Sequence, residues 1–436
     1  MTPGARLAAA IEVLDEIAAS RTPADELLKA WGKAHRFAGS KDRRAIAERV
    51  FTALRTRARS AWRMQAEHGR ALALGSLVEA DGLSPDEVAA LASGEGHAPA
   101  ALDADELARL SEPPPPAPDW VRAGAPQFVV EQLKARFGEA WLDEARALIG
   151  ARAPLDLRVN SVRGGVQAAI KLLAVDGLEP ERTPFSAQGL RLPPELAPDI
   201  AKLRAFASGW VEVQDEASQI AAALAGARPG MTVVDYCAGG GGKTLALGAE
   251  LRAPRDGGRL VACDVNPRRL DNMRPRLQRA EVQADVRRIG PQGEGMDDLS
   301  GQADLVFVDA PCSGAGAWRR HPEGAWRLQP EAVPRLAELQ AAILARACAL
   351  VKPGGRLAYA TCSVLAPENE GVASAFAAAH PAFRPVPIAR AAETPLLTDA
   401  ARARLGELAE EGHMLQLTPR RSRTDGFFLA LFERTA

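Results

Sequence analysis

The spacing of apolar positions changes character twice along the chain. Up to about Ser111, apolar residues recur every three to four positions over 7–19, 24–31, 45–54 and 87–91. That is the repeat of one buried helix face, so an all-helical segment is predicted. The run Ser111-Glu-Pro-Pro-Pro-Pro-Ala-Pro118 breaks the pattern and reads as a stiff, polyproline-like linker. From about Trp120 to Ala207, helical spacing (127–148, 166–173) mixes with short strand-like runs (155–160, 190–192). A small α+β domain is expected there. Beyond Ser208, short apolar runs alternate with helical stretches. Strands are predicted at 232–235, 259–264, 304–309, 356–361 and 427–432. This alternation is the pattern of a doubly wound, mainly parallel sheet. The expected domains are 1–112, 119–207 and 208–436.

The totals bound the picture without changing it. A chain of 436 residues is too long for one hydrophobic core. Lys plus Arg is 54 against 55 for Asp plus Glu. Net charge therefore gives no global sign of a polyanionic partner, and any such site must be local. One local candidate is 33–63, which includes Lys41, Arg43, Arg44, Arg55, Arg57 and Arg59 against only Asp42 and Glu48. It reads either as a solvated helix face or as a phosphate-facing patch. The five cysteines are too few, and too irregularly spaced, for a disulfide framework or a structural zinc site. No basic-then-apolar leader and no bilayer-length apolar run is present. A cytoplasmic protein with no membrane contact and no metal is expected.

Two stretches carry candidate chemistry. The first is Val233-Val-Asp235-Tyr-Cys237-Ala238-Gly239-Gly240-Gly241-Gly242-Lys243-Thr244, a strand, a glycine loop and a helix start. Glycines let the backbone approach a ligand, and the helix start supplies free N–H groups. A Walker A loop needs glycine where Cys237 stands, so that motif fails. Asp264 ends the next strand, where an acid can bind ribose hydroxyls. An adenosine cofactor is implied, either NAD or S-adenosylmethionine.

The second stretch is a pair of thiols. Cys312 follows the strand that ends at Asp309, and Cys362 follows the next one, in Thr361-Cys362-Ser363. Residues at the carboxyl ends of such strands face the ligand crevice. Methylation of cytosine at carbon 5 needs this equipment. A thiolate adds to carbon 6, an acid offsets charge on the ring, and a base removes the carbon-5 proton. Cys348, on an Ala-rich helix, and Cys263, inside a strand, read instead as small buried hydrophobes. Trp318 and Trp326 flank Arg319, Arg320 and His321. They serve either local packing or stacking and phosphate contact at the site mouth.

These runs together resemble the Sun/Fmu-type family of RNA cytosine-C5 methyltransferases. The resemblance rests on Gln214-Asp-Glu-Ala-Ser218, the loop to Lys243-Thr244, and Asp309-Ala-Pro-Cys312-Ser-Gly314-x-Gly316. It continues through Arg319-Arg-His-Pro-Glu323-x-x-Trp326-Arg327, Lys352-Pro-Gly-Gly355, Thr361-Cys-Ser363, Pro367-Glu-Asn-Glu370 and Thr424-Asp-Gly-Phe-Phe428. It implies an all-α NusB-like RNA-binding domain, a small α+β RNA-recognition subdomain and an α/β Rossmann-like methyltransferase domain. It implies Cys362 as nucleophile and Cys312 as the thiol that assists release. Asp309 would contact the cytosine, and Lys243 would lie near base and cofactor. The loop from Cys237 through Ala238, Gly239, Gly240, Gly241 and Gly242 would hold S-adenosylmethionine, with Asp264 on its ribose. Arg158 and Asn160, in Leu157-Arg-Val-Asn160, match the start of the RNA-recognition subdomain. With Arg319 and Arg320 they are the expected RNA contacts.

Two positions depart from the family pattern. Gly239-Gly240 stands where Ala-Pro is usual, which predicts a looser loop. Gly290 follows the third strand (286–289) where an acid is common, so apolar and backbone contacts are expected to hold the adenine. A monomer is expected; the NusB-like N-terminus puts small-subunit rRNA first and tRNA second as its structured RNA partner. The rival readings are a non-catalytic ribosome-assembly factor and an NAD-dependent oxidoreductase.

Overall fold

The opening three-to-four spacing becomes seven helices in this computed structural model: Pro3–Ala19, Ala24–Ala34, Ser40–Arg55, Arg57–Met64, Gly69–Glu79, Pro85–Leu91 and Ala104–Ser111. Their starts are set by local chemistry. Thr2 caps the first through the Ala5 N–H, with proline in the first turn. Capping boxes start two others, Ser84 with Glu87 and Asp103 with Glu106. Leu7, Val13, Leu14, Ile46, Val50, Leu54 and Leu74 form the shared core. Each such side chain, fully buried, stabilises the fold by roughly 1.5–3 kcal/mol.

The structure describes residues 1–196, 198–251 and 257–435. They fall into two compact units, Met1–Ala151 with Ala317–Gln329, and Arg152–Gly316 with Pro330–Ala436. The continuous helix expected over 127–148 is two, Gln127–Phe137 and Trp141–Ile149. Gly138 separates them with φ +53° and ψ −129°, a backbone state that glycine alone tolerates well.

The segment Ala317–Gln329 is part of the first unit and is tied in by several bonds. The Arg327 guanidinium donates to the carbonyls of Ile17, Ser20 and Thr22 at 3.0–3.1 Å. The buried Glu323 carboxylate accepts the Ala24 N–H at 3.1 Å. Trp326 meets Trp120 edge-on with centroids 6.4 Å apart, and Trp120 meets Trp62 at 5.9 Å.

The second unit holds two sheets. The smaller is antiparallel, in the order β2-β3-β1-β4. Its strands are β1 Leu155–Val159, β2 Glu181–Arg182, β3 Gly189–Leu192 and β4 Val211–Val213. The larger comprises β5 Thr232–Asp235, β6 Arg259–Asp264, β7 Asp285–Arg288, β8 Ala303–Asp309, β9 Val351–Thr361, β10 Phe383–Pro385, β11 Ala409–Glu410, β12 Met414–Leu417 and β13 Phe427–Arg434. Its order is β11-β12-β13-β9-β8-β5-β6-β7, with β10 on β13.

Strands β9-β8-β5-β6-β7 are parallel, as the sequence predicts. The antiparallel wing of β10 to β13 is not foreseen beyond β13, because strands of two to four residues give no periodic signal. Alternate residues of the central strands face opposite cores. Val233, Leu305, Phe307 and Ala358 pack on one side, and Val234, Val306, Val308, Leu357 and Tyr359 on the other. The order reverses direction between β5 and β8. Their carboxyl ends therefore open the crevice in which doubly wound sheets bind ligands.

Candidate active site

At that crevice lies a cavity of about 790 Å³, within the range of cofactor pockets. It is lined by Tyr236, Cys237, Ala238, Gly239, Gly240, Gly242, Lys243, Asp264, Asp309, Cys312 and Cys362. The cavity thus gathers nearly the whole loop and all four residues singled out for catalysis.

The glycine loop is tied down from several sides. The Asp264 carboxylate accepts the Gly239 N–H at 2.9 Å and the Asn266 N–H at 2.7 Å. Gln214 donates to the Gly242 carbonyl at 3.0 Å, and Arg276 donates to that of Gly240. These bonds offset the freedom that Gly239 and Gly240 add, so the looser loop expected from sequence is held in place. Gly241 sits at φ +82°, and a Cβ there would stand 2.4 Å from Met273 Cγ. Only glycine fits that position without displacing the helix Pro267–Ala280, which carries Met273.

Behind the loop, Thr244 Oγ1 donates to Asp235 at 2.6 Å. Burial pushes the Asp235 carboxyl up to about 7 despite that bond. Burial also raises the Cys237 thiol well above the usual range, as its place in the loop suggested for an unreactive lining residue.

The reactive cluster sits across the cavity. Lys243 Nζ donates to Asp309 Oδ2 at 2.6 Å and lies 4.9 Å from the Phe427 ring centre. The Asp309 charge holds the ammonium above its usual range, although burial opposes it. Parallel pairing of β8 with β9 sets Asp309 opposite Ala360 and so brings the two cysteine loops together. Cys312 Sγ and Cys362 Sγ stand 3.4 Å apart, both half-buried. The hydrogen bond from Cys312 pulls the Cys362 thiol below its usual range, with Lys243 helping, while burial and Asp309 oppose. The same bond, with burial, pushes Cys312 well up. Either sulfur can donate in this contact, and the two directions agree in making Cys362 the more acidic thiol of the pair.

Other residues in the cavity escaped the sequence reading. Val265, beside Asp264, is 53% exposed although apolar, and Ile289, Leu339 and Ile343 line the same space. Arg269 and Arg276 line its rim. The Gln214 run was visible as a motif, but its bond to the Gly242 carbonyl needed the fold.

The four expected RNA contacts fare differently. Arg158 and Asn160 are buried. Arg158 Nε donates to Gln214 Oε1 at 2.7 Å, and burial lowers its guanidinium to about 10. It thus braces the residue that holds the glycine loop. The Asn160 amide donates to the Gly209 and Ala280 carbonyls at 3.0 and 2.8 Å. Both side chains are turned to the interior in this structure. Arg319 is buried in the first unit with Trp318, so the packing alternative holds for both, and Arg320 is half-buried. In the basic stretch, Arg57 pairs with Glu67 and Arg63 with Glu79, at 3.1 and 2.7 Å. No helix among the described residues is long and apolar enough to cross a membrane.

Residues 222–433 match the family described as 16S rRNA methyltransferase RsmB/F, and residues 125–197 match the RsmF/B-like ferredoxin-like domain. Proteins named ribosomal RNA small subunit methyltransferase B are similar. That of Pseudomonas putida is 34% identical over 310 residues, 71% of this chain and 66% of the relative. That of Vibrio cholerae is 35% identical over 262 residues, 59% of this chain and 58% of the relative. The chain thus spans just under two thirds of the first and less of the second. Among solved structures, PH0851 superposes with a TM-score of 0.76 at 24% identity, over 100% of this chain and 99% of that one. NSun6 from Pyrococcus horikoshii, solved with SFG, gives 0.60 at 19% identity, over 71% of this chain and 98% of that one. At these identities the likeness is one of fold.

Proposed function

Because the chain carries the methyltransferase domain of the RsmB/F family over 222–433 and its ferredoxin-like domain over 125–197, we propose that it methylates carbon 5 of a cytidine in small-subunit rRNA, using S-adenosylmethionine. One observation carries this reading. Two thiols 3.4 Å apart share a cavity with a Lys243–Asp309 pair and a glycine loop closed by Asp264. A passive assembly factor has no use for a reactive thiol pair, and calorimetric binding of S-adenosylmethionine without binding of NAD separates this reading from an NAD-dependent oxidoreductase.

The cavity suits the cofactor. Asp264 is oriented by two backbone N–H groups and can take ribose hydroxyls. Val265, Ile289 and Ile343 offer an apolar bed for adenine, where no acid follows the third strand. When bound, S-adenosylmethionine supplies an electrophilic methyl group. The flipped or unpaired cytosine must reach Cys362 from the open side of the cavity.

In this reading the Cys362 thiolate forms a bond to carbon 6, and the Lys243 ammonium beside Asp309 offsets the charge that develops on the ring. Once Cys362 is bound to carbon, its hydrogen bond and charge no longer hold the proton on Cys312. With the methyl group on carbon 5, Cys312 gives its own proton to solvent and its thiolate takes the carbon-5 proton; the electrons of that bond form the 5,6 double bond, the sulfur–carbon-6 bond breaks, and Cys362 leaves as a thiolate. The free thiols suit a reducing cytoplasm, and a monomer acting there, with domains at 1–112, 119–207 and 208–436, belongs to the same proposal.

The thiolate assignment has a pH consequence. A depressed thiol is ionised above its own midpoint, so the pH midpoint of single-turnover transfer should lie below that of an ordinary thiol, about 8.5. A midpoint at or above that value contradicts the activated pair. The function itself is tested by incubating the protein with S-adenosylmethionine and either unmodified small-subunit rRNA or tRNA, then analysing nucleosides. The expected product is 5-methylcytidine in the rRNA. Product only in tRNA would reassign the substrate, and none in either would refute the reading.

A further inference from the structure

The run Pro367-Glu368-Asn369-Glu370 has no task in the mechanism above, yet Glu368 is fully buried directly behind the two thiols. Its carboxylate accepts four hydrogen bonds: from the Ser313 N–H at 2.8 Å, the Ser313 hydroxyl at 2.5 Å, the Ser363 hydroxyl at 2.7 Å and the Gln340 amide at 3.1 Å. Ser313 directly follows Cys312, and Ser363 directly follows Cys362. Gln340 also donates to the carbonyl of Pro311, the residue before Cys312, at 2.9 Å. Among the described residues no cation pairs with this carboxylate. Such an arrangement costs desolvation that only full hydrogen bonding repays.

The neighbourhood stiffens the clamp. Tyr359 donates to the Glu368 carbonyl and to Gln340. Asn369 accepts from Thr361 at 2.6 Å and donates to the Ser363 carbonyl at 3.0 Å. The cysteine loops leave β8 and β9 separately, and backbone pairing ends at Asp309 and Ala360. Beyond that point Glu368 joins the loops through the two serines, together with the Ser313–Ser363 hydroxyl contact at 3.2 Å, the Ala310 N–H on the Ala360 carbonyl and the Gly316 N–H on the Cys362 carbonyl, each at 2.9 Å.

We propose that Glu368 is a positioning residue that sets the separation of the attacking and releasing thiols by holding Ser313 and Ser363 on one buried carboxylate. This rests on the two-thiol reading, but its test does not depend on RNA. Phenylarsine oxide condenses with two adjacent thiols, forming two As–S bonds and releasing one water. It therefore reports whether the sulfurs can meet one arsenic atom. Wild type should bind it one to one, and Cys312→Ala should lose that binding, which assigns the signal to the pair.

Glu368→Gln replaces an acceptor oxygen by a donor amide facing donors. It should weaken arsenical binding at least about tenfold, the effect of losing one charge-assisted bond, with S-adenosylmethionine affinity kept. Glu368→Asp should restore part of the loss. A folded Glu368→Gln protein with unchanged arsenical affinity overturns the proposal, whatever its melting temperature. If Glu368→Gln does not fold, Ser363→Ala keeps the carboxylate and removes that loop's hydroxyl bonds to Glu368 and to Ser313. It should weaken binding at least about threefold, and no change there overturns the proposal equally. If these variants behave as expected while wild type makes no 5-methylcytidine in any RNA, the proposed function fails and the positioning role stands.

Discussion

Cys362→Ala should bind S-adenosylmethionine as wild type does and lose methyl transfer by at least about 1,000-fold, or roughly 4 kcal/mol of barrier. The size follows from the substrate. Carbon 5 of cytosine is too weak a nucleophile to attack a sulfonium methyl without prior addition at carbon 6. No other group in the cavity can take over. Cys237 is held protonated by burial, and Cys312 is held protonated by its own hydrogen bond and burial. Cofactor affinity should hold because Asp264 and the bonds on the glycine loop do not involve the thiol. Calorimetric titration with cofactor, run beside tritium-methyl transfer, separates the two effects. Activity within tenfold of wild type would remove Cys362 from the chemistry.

Cys312→Ala should fail at the other end of the reaction. Addition through Cys362 still occurs, more slowly because the neighbouring thiol no longer lowers its pKa. The carbon-5 proton then has no acceptor, and removing a positioned base costs about 100- to 10,000-fold. Protein covalently attached to RNA should therefore accumulate and survive denaturing electrophoresis, and the double variant with Cys362→Ala should show none. If Cys312→Ala turns over normally and forms no adduct, the two thiols have been given the wrong tasks.

What the sequence made legible follows from where its signals come from. Strands β5, β6, β8 and β9 were visible because they are largely buried and read as apolar runs, and the two reactive cysteines because each lies just beyond one. The glycine loop announced itself by composition. The burial of Arg158 and Asn160 was not legible, because a conspicuous polar run at a short strand looks the same whether it faces solvent or braces an interior. Only the fold shows Arg158 holding Gln214. The tryptophan-rich run 318–326 likewise gave no sign that it packs against residues about 300 positions earlier. Glu368 was visible as part of a motif. Its meeting with Ser313, 55 residues away, depends on the pairing of β8 with β9.

The central claim is that Cys362 forms the bond to the base. Small-subunit rRNA containing 5-fluorocytidine tests it in the wild-type protein, because fluorine cannot leave as a proton does and release is blocked after methyl transfer. The complex would be digested and the nucleotide-bearing peptide sequenced by mass spectrometry. The account predicts the nucleotide on Cys362. Finding it on Cys312, or finding methylated product with no covalent species at all, would contradict it.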